Sequence, residues 1–390
     1  MNHSLEPEGK SRGGSRLHDG FCDSLEPVLP LDLSKCKDID MLTKAMSSTA
    51  FGGRALGEAV DVFYAMVTDP DCFVVLTVSG AMTVAKMGLV ICDMMERGLV
   101  HAMVSTGALM AHGFVEATGK LHFKYNKNMN DKELYYAGYD RVYDTLELEK
   151  NLDDTEEIMD AILGSVDPGT VLSSWKLNKL LGDYLSKHTK GRGILKSAYK
   201  QRIPVYVPAF TDSELGLDFG LFNRKKSMNG GSPLTFNAMH DLDHFTEIVQ
   251  KQSRLGIFTI GGGVPRNWAQ EVGPYLDLIR YRVLEKSNRK ARHPIKDEDY
   301  FKRYSYGVRI CPEPVQWGGL SGCTYSEGVS WGKFVPQSEG GKWAEVPIDA
   351  TIGWPIVMKA LLERLDKNKH DLKVVQEKSE RMQKMMQGHY

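Results

Sequence analysis

The sequence of 390 residues lacks the features that mark several large classes of protein. It has no apolar run long enough to cross a bilayer, and its N-terminal stretch has no apolar core of the kind that a secretory signal requires. Its formal net charge is -1, so no global field draws it to nucleic acid or to an acidic membrane. We therefore expect a soluble, cytoplasmic protein that binds neither nucleic acid nor a membrane.

Paired cysteines and common ligand signatures are also missing. The six cysteines form no CxxC pair, and Cys72 and Cys92 lie in apolar runs, which is typical of reduced cysteines in a reducing compartment. Neither GxGxxG nor GxxxxGK occurs. His240 and His244 are four residues apart, but no glutamate lies between them in the HExxH manner and no third ligand stands out, so we predict no metal site.

The composition is that of an ordinary globular protein, with 42% hydrophobic and 25% charged residues. Residues 1–28 are polar, rich in Gly and Ser, and carry both charge signs, so they cannot bury enough apolar surface to order themselves. We predict a flexible N-terminal arm over 1–28 and a single domain over 29–390.

What the domain does contain is a series of short apolar runs that alternate with segments of helical spacing. Most runs are apolar throughout, which is typical of strands buried on both faces of a parallel sheet. The predicted strands are 72–79, 99–106, 203–210, 255–264, 306–312 and 346–352. The predicted helices include 39–66, 81–97, 158–164, 174–188, 236–253 and a long C-terminal helix over 355–387. This alternation predicts an α/β fold with an open, mostly parallel, Rossmann-like sheet covered by helices on both faces.

In an open parallel sheet, ligands bind at the carboxyl ends of the strands. Small residues, hydroxyls and carboxylates gather at these ends. They include Ser79, Ser105-Thr106-Gly107, Thr211-Asp212, Gly261-Gly262-Gly263 and Asp349-Ala350. Three successive glycines would let backbone amides approach a ligand, although a tight turn without a ligand explains them equally well. His112 follows the second strand and is a further candidate for the pocket.

Lys333 ends the segment EGVSWGK, which begins at Glu327. A surface lysine would be the ordinary interpretation, but Trp331 would screen the amine from water and so favour its action as a nucleophile. Glu327, six residues before the lysine, could anchor a cation. From its residues alone, the sequence predicts a ligand-binding α/β protein with a candidate nucleophile at Lys333.

The segment EGVSWGK closely resembles the segment around the catalytic lysine of deoxyhypusine synthases. Further similar blocks occur in the family's order, from about residue 51 to residue 355. They are FGGRA at 51–55, VSTG at 104–107, PAFTD at 208–212, GGGV at 261–264 and Asp349-Ala350. The resemblance covers most of the chain and implies the deoxyhypusine synthase fold.

The resemblance also implies an activity, namely NAD-dependent transfer of a 4-aminobutyl group from spermidine or a similar polyamine to an amine. Lys333 would carry the group as an imine (a Schiff base), Glu327 would pair with one end of the polyamine, and Trp331 would pack along its chain. The family forms homotetramers, dimers of dimers with sites at the subunit interface, and we expect the same here. The residues implied to hold NAD are Ser79, Thr106, Gly107, Asp212, Gly261, Gly262, Gly263, Asp349 and Ala350.

The sequence departs from the family at the substrate side of the site. Asn267 stands where the family has a histidine that assists proton transfer, and asparagine cannot carry a proton. The places of family acids are taken by Leu217, Leu320, Ala111 and His112. Asp218 is adjacent to one of these places and could substitute. We therefore expect Asn267, His112 and Asp218 to contact an altered substrate, while the NAD-and-lysine half is kept.

Two functional hypotheses follow. The first is an active transferase whose acceptor is a small diamine such as putrescine, giving homospermidine, or the lysine of translation factor 5A. The second is a catalytically silent, NAD-binding subunit that activates a paralogue. The lost acids favour the silent subunit, whereas the retained Lys333, Glu327 and Trp331 favour an active enzyme.

Overall fold

The computed structural model describes residue 18 and residues 20–284 and 297–390. Most of the predicted flexible arm, residues 1–17 and 19, lies outside the described residues, and residues 21–28 of the arm are exposed. No helix within the described ranges is long and apolar enough to cross a membrane.

A six-stranded parallel sheet forms the centre of the molecule. The strands of the described chain are β1 (Cys72–Val78), β2 (Ala102–Ser105), β3 (Phe123–Lys124), β4 (Tyr139–Val142), β5 (Thr145–Leu148), β6 (Val171–Leu172), β7 (Val205–Tyr206), β8 (Thr235–Phe236), β9 (Arg254–Ile260), β10 (Tyr304–Ile310) and β11 (Lys342–Val346). The central sheet has the order β11-β10-β9-β1-β2-β7. The order reverses between β9 and β1, and this reversal is the place where open α/β sheets form their ligand crevice.

Helices cover both faces of this sheet. They are α1 (Ile39–Ser47), α2 (Phe51–Thr68), α3 (Gly88–Glu96), α4 (Gly107–Ala117), α5 (Asp131–Ala137), α6 (Glu149–Gly164), α7 (Ser174–His188), α8 (Ile194–Gln201), α9 (Glu214–Met228), α10 (Met239–Gln250), α11 (Gly263–Gln270), α12 (Val272–Leu278), α13 (Asp297–Tyr300), α14 (Tyr325–Ser330), α15 (Ala350–Lys367) and α16 (Lys369–Met386). Together with the parallel sheet they form the α/β architecture that the sequence predicted.

The core lies on both sides of β1, whose seven residues are all buried. Successive strand residues point to opposite faces. Val74 and Leu76 accordingly join one apolar cluster, with Trp354 of α15, whereas Phe73 joins another, with Phe245 of α10. Burial on both faces explains why the strand sequence is continuously apolar rather than alternating.

Three predicted boundaries are wrong at the ends of the domain. The segment 346–352 is not a strand, because β11 ends at Val346 and the Asp349 carboxylate accepts the Thr351 N–H, so that residue 349 caps α15. The predicted helix 355–387 is two helices, since Asn368 caps a second one, α16. The predicted helix 39–66 is likewise interrupted between α1 and α2.

The predicted helix 81–97 begins later than expected, at Gly88. Residues 82–85 form turns, and Lys86 has a φ of 64°, which a continuous right-handed helix does not allow. The small antiparallel sheet β3-β5-β4 and the short pair β6-β8 were not predicted, because their strands have only two to four residues.

Candidate active site

The carboxyl ends of the central strands lie level at one edge of the sheet. Val78 pairs with Ser105 on one side and with Ile260 on the other, and Ile260 pairs with Ile310. Ser79 and Gly261, the residues that follow β1 and β9, therefore flank the point where the strand order reverses. This is where the predicted cofactor residues after these strands meet.

The Gly261-Gly262-Gly263 turn connects β9 to α11 and is constrained by its surroundings. Gly261 and Gly263 have φ values of 72° and 59°, which favour glycine. A Cβ on Gly262 would lie 2.5 Å from the Cα of Ser321, so only glycine fits against that loop. The Gly262 N–H donates to Ser79 Oγ at 2.9 Å, and α11 begins at Gly263. The turn thus brings backbone and a helix N-terminus to the crevice.

The loops after β2 and β7 are in contact next to this turn. Thr106 Oγ1 donates to the Gly80 carbonyl at 2.8 Å, which joins the β2 loop to the β1 loop. A Cβ on Gly107 would lie 2.3 Å from the Cβ of Ser213, so Gly107 permits close approach of the segment that contains Asp212. Asp212 and Asp349 are exposed, whereas Ala350 is buried at the start of α15.

A pocket of about 360 Å³ lies beside the crevice and contains Lys333. Three of the predicted substrate residues, Glu327, Trp331 and Asn267, line the same pocket. The full lining is Arg266, Asn267, Gln270, Glu271, Val315, Gly318, Gly319, Leu320, Cys323, Glu327, Gly328, Trp331 and Lys333.

The segment EGVSWGK forms the short helix α14 and its C-terminal cap. Thr324 Oγ1 accepts the N–H of Glu327 at 3.1 Å, as expected for a T-x-x-E start. At the other end, Gly332 has a φ of 68°, its N–H donates to Val329 O, and the Lys333 N–H donates to Gly328 O. This is a Schellman motif, which requires a left-handed residue and explains the glycine before the lysine.

The Lys333 side chain is held by α11. Lys333 is 8% exposed, and its Nζ donates to Asn267 Oδ1 at 2.8 Å and lies 2.9 Å from Glu271 Oε1. The Trp331 ring centroid is 5.7 Å from Nζ, but Trp331 is itself 65% exposed. The screening that the sequence predicted for Trp331 is therefore shared with α11.

Glu271 was not predicted as a contact of Lys333. It follows α11 directly and is four residues after Asn267, so both side chains project from one face of the helical turn. That spacing is visible in the sequence. However, the sequence does not indicate that this face meets a lysine 62 residues later.

Two charged strand residues hold one wall of the pocket in place. Neither was predicted from the sequence. Arg309 of β10 donates to the carbonyls of Ser321 and Cys323, and it pairs with Glu345 of β11 at 3.2 Å. Glu345 Oε1 also accepts the N–H of Tyr325, the first residue of α14. The pair of a buried arginine and a partly exposed glutamate thus anchors the loop that leads into EGVSWGK.

Arg266 gives the pocket a buried positive charge. It is 2% exposed, its guanidinium lies 5.0 Å from the ring centroid of Tyr325, and its Nη1 donates to the Leu320 carbonyl at 3.4 Å. Among the described residues no carboxylate lies within ion-pair distance of it. The pocket therefore holds the Arg266 guanidinium in addition to the Lys333–Glu271 ion pair.

His112 does not line the Lys333 pocket and belongs to a separate buried cluster. Its Nδ1 contacts Glu147 Oε2 at 3.2 Å, and His122 Nε2 lies 2.7 Å from the same oxygen. Although burial opposes ionisation, the contacts with both imidazoles and Asn151 outweigh it and hold the pKa of Glu147 well below its usual value.

The ligand atoms of His112, His122 and Glu147 lie within 4.8 Å of one another, a spacing that a metal ion can bridge. Lys86 Nζ, however, contacts His122 Nδ1 at 2.8 Å. An ammonium at that position donates to Nδ1, so the other nitrogen carries the proton and faces the carboxylate. The cluster is thus held together by the contacts of both imidazoles with Glu147 and by the ammonium charge of Lys86.

Asp218 also lies outside the Lys333 pocket. Burial, followed by the negative charges of Glu156, Glu214 and Asp160, raises the pKa of Asp218 to about 7. The structure therefore divides the predicted substrate residues into two groups, with Asn267, Glu327 and Trp331 around Lys333 and with His112 and Asp218 elsewhere.

His240 and His244 do lie on a helix, α10, as predicted. His244 Nε2 donates to the His389 carbonyl at 2.8 Å, so its Nδ1 accepts from the Tyr206 hydroxyl at 2.8 Å, and its ring stacks on Trp175. Burial lowers the pKa of His244 to about 4. These contacts are those of a histidine that packs in the interior.

Comparisons with known proteins show the family to which the chain is similar. Residues 41–361 match the family model described as deoxyhypusine synthase. The chain is 32% identical over 357 residues to "Probable deoxyhypusine synthase 2" of Methanosarcina acetivorans, covering 91% of this chain and 94% of the relative. It is 31% identical over 334 residues to the deoxyhypusine synthase-like protein of Chlorobaculum parvum, covering 85% and 88%.

A solved structure resembles the chain in its fold. A crystal structure provisionally assigned as a deoxyhypusine synthase from Entamoeba histolytica aligns with a TM-score of 0.54 at 15% identity. The alignment covers 86% of this chain and 97% of the other. At this identity the likeness concerns the fold alone.

Proposed function

The chain belongs to the deoxyhypusine synthase family of transferases, and from this we propose that it moves a 4-aminobutyl group from spermidine or a similar polyamine to an amine, with NAD as cofactor and through an imine on Lys333. The observation that carries the proposal is the setting of Lys333. Its amine is buried in a pocket with Asn267, Glu271, Glu327 and Trp331, beside the crevice where the strand order reverses.

The residues at the crevice fit a dinucleotide. The glycine turn leaves no room for a side chain at Gly262 and brings the first amides of α11 to the crevice, an arrangement that suits a diphosphate. Ser79, Thr106 and Asp349 add hydroxyls and a carboxylate at the same edge. When bound there, NAD would accept a hydride from the carbon beside the donor's secondary nitrogen and later return it.

The chain's own residues supply the transfer. Lys333 attacks the electrophilic carbon with its amine, a new carbon–nitrogen bond forms, and the bond to the diaminopropane nitrogen breaks. Glu327, exposed at the pocket, pairs with a terminal ammonium, and the face of Trp331 packs along the cationic chain with about 0.5–2 kcal/mol. An attacking amine from the acceptor then releases Lys333.

We propose a small diamine such as putrescine as the acceptor, with homospermidine as the product. Support comes from Leu320, which lines the pocket where the family has an acid, and from Asn267, which takes the place of its histidine. The lysine of translation factor 5A is the other candidate acceptor. Incubation with each acceptor, after loading with the same donor, would distinguish them by the mass of the product.

The test of the covalent step is borohydride trapping. Purified protein incubated with NAD and spermidine, then reduced with borohydride, should gain one aminobutyl unit by intact mass. Lys333→Ala should lose the adduct while keeping NAD binding nearly intact, because the amine is needed for the imine and not for the cofactor. Lys342→Ala, an exposed lysine of β11, is the matched control and should be labelled like the wild type. No adduct with spermidine or other polyamines would overturn the proposal.

The alternative is a silent, NAD-binding subunit that activates a paralogue. The loss of family acids favours this alternative. The contacts that hold the buried Lys333 amine, to Asn267, Glu271 and Trp331, oppose it. We propose instead a homotetramer, a dimer of dimers with sites at the subunit interface. Gel filtration with light scattering measures the oligomeric state of the protein alone, and an assay of the same sample measures its activity. A protein that is inactive alone and becomes active only with a co-purified partner would support the silent subunit.

A further inference from the structure

We propose that Glu271 is the catalytic residue that takes the proton from the Lys333 ammonium, and that Asn267 is a positioning residue that fixes the direction of the amine. The inference rests on the proposed function and goes beyond it by assigning the proton transfer that the attack of Lys333 requires. It is carried by the two contacts of Nζ, to Asn267 Oδ1 at 2.8 Å and to Glu271 Oε1 at 2.9 Å.

Lys333 needs a neighbouring group that takes a proton from its ammonium. An ammonium has no free electron pair, so Nζ must lose a proton before it can attack carbon. Three groups of the described pocket approach Nζ, namely the Asn267 amide, the Trp331 indole and the Glu271 carboxylate. An amide and an indole do not accept a proton near neutral pH, whereas a carboxylate does. Glu271 is therefore the acceptor within reach.

Glu271 reaches water, whereas Lys333 is buried. Lys333 is 8% exposed and its amine faces α11, but the side chain of Glu271 is 44% exposed. The Glu271 carboxylate thus contacts both the buried amine of Lys333 and bulk water. A proton taken from Nζ has a way out of the pocket, and a proton has a way back when the next cycle begins.

Helix α11 holds Asn267 and Glu271 in fixed positions relative to Lys333. Asn267 and Glu271 are four residues apart on one helical face, and α11 starts at the Gly261-Gly262-Gly263 turn. The same helix therefore links the proposed cofactor turn to the amine. The hydrogen bond to Asn267 holds one N–H of Nζ, so the amine turns about this contact to bring the electron pair freed at Glu271 to the electrophilic carbon.

The reaction step balances. Glu271 takes one proton from the ammonium, and the Nζ electron pair forms the bond to the carbon of the donor's protonated imine. The bound Nζ then gives up a second proton, the donor nitrogen takes the first one from the Glu271 carboxyl, and the donor nitrogen leaves as an amine when its bond to carbon breaks. The aminobutyl group remains on Nζ as a protonated imine, Glu271 holds the second proton, and the total charge is unchanged.

Substitution of the carboxylate tests this assignment. In rapid-quench borohydride trapping with NAD and spermidine, Glu271→Gln should lower the rate of adduct formation by on the order of 10²–10⁴-fold, the usual contribution of a general base. NAD affinity should stay within about twofold of the wild type. The residual rate should rise steadily with pH in Glu271→Gln, because hydroxide replaces the missing base, while the wild type levels off.

Two further variants separate catalysis from structure. Glu271→Asp should recover part of the rate, and formate added to Glu271→Ala should restore part of it in proportion to formate concentration, which a merely structural role would not produce. Glu339→Gln, an exposed acid outside the pocket, is the matched control and should trap at the wild-type rate. Thermal melting of each variant checks that the fold is kept.

The outcomes separate this inference from the proposed function. Wild-type protein that forms an adduct, together with Glu271→Gln that forms it within about twofold of the same rate and with the same pH profile, overturns the role of Glu271 alone. Wild-type protein that forms no adduct overturns the proposed function and this inference with it.

Discussion

Asp349 caps its own helix, and we propose that it also contacts the cofactor. Its Oδ1 accepts the Thr351 N–H at 2.8 Å and so caps α15. It is exposed at the edge of the sheet where the crevice opens. The resemblance to the family implies a contact with NAD at this residue. A substitution that keeps the cap but removes the charge can tell these roles apart.

We therefore expect Asp349→Ala to weaken NAD binding by roughly tenfold or more, the loss of a charge-assisted hydrogen bond, and to lower the free energy of unfolding by about 1 kcal/mol. Asp349→Ser should weaken NAD binding similarly while keeping the stability, because serine is a good N-cap. NAD titration by calorimetry and thermal melting measure the two effects. Unchanged cofactor affinity in both variants would show that the cofactor lies elsewhere.

At the scale of one element, α14 and its cap determine where Lys333 lies. The Schellman motif fixes the lysine through Gly332, whose φ is 68°. A Cβ at this glycine would also meet the Arg303 guanidinium at 3.1 Å. Phe334 then forms a parallel bridge with Tyr304 of β10, so the chain around Lys333 is fixed on both sides.

Gly332→Ala should accordingly cost about 1–2 kcal/mol of stability, because a residue with a Cβ is strained in the left-handed region. It should also reduce the trapping rate by at least tenfold, since Nζ would move away from Asn267 and Glu271 by a distance on the order of 1 Å. Gly340→Ala is the matched control, because Gly340 has a φ of 96° with open space around it and lies outside the pocket. Equal trapping rates in the two variants would contradict a positioning role for the cap.

At the scale of the whole molecule, an ion network centred on a buried Asp40–Arg364 pair joins the first helix to the helix after β11. The Asp40 side chain of α1 is fully buried, and Arg364 of α15, 324 residues later, donates to it at 2.7 Å. Lys44 and Lys367 also contact this carboxylate, and Arg364 pairs in addition with Asp61. Burial opposes ionisation of Asp40, but the hydrogen bonds from these cations outweigh it and lower the pKa of its carboxyl.

Asp40→Asn should lower the free energy of unfolding by about 3–5 kcal/mol at pH 7, because it leaves the buried Arg364 guanidinium without its buried carboxylate partner. Since the pKa of Asp40 is lowered in the folded state, its contribution is present above the ordinary value of 3.8 and is lost as the pH falls through the folded value. The difference between wild type and Asp40→Asn in urea unfolding should therefore narrow only below about pH 4.

The control for this network is Asp61→Asn, whose side chain is 47% exposed in the wild type. It should cost no more than about 1 kcal/mol, as for other exposed pairs. A loss in Asp61→Asn equal to that in Asp40→Asn would show that burial does not distinguish the two carboxylates. A wild-type stability that falls already as the pH is lowered from 8 to 6 would point to a different titrating group.

The sequence by itself determined the features that depend on local chemistry. Continuous apolar runs such as 72–79 specify strands buried on both faces. The residues at the strand ends, from Ser79 to Gly261-Gly262-Gly263, follow from the rule that parallel strands share one carboxyl edge. The match to the EGVSWGK segment rests on the order of residues, which needs no structure to be recognised.

Only the tertiary structure decided which distant residues meet. The strand order brings β9 next to β1, so the glycine turn lies beside Ser79, although 182 residues separate Gly261 from Ser79. The packing of α11 against the end of α14 places Glu271 on Lys333 and keeps His112 and Asp218 away from it. Side-chain contacts of this kind depend on how whole elements pack, and local propensity carries no information about that packing.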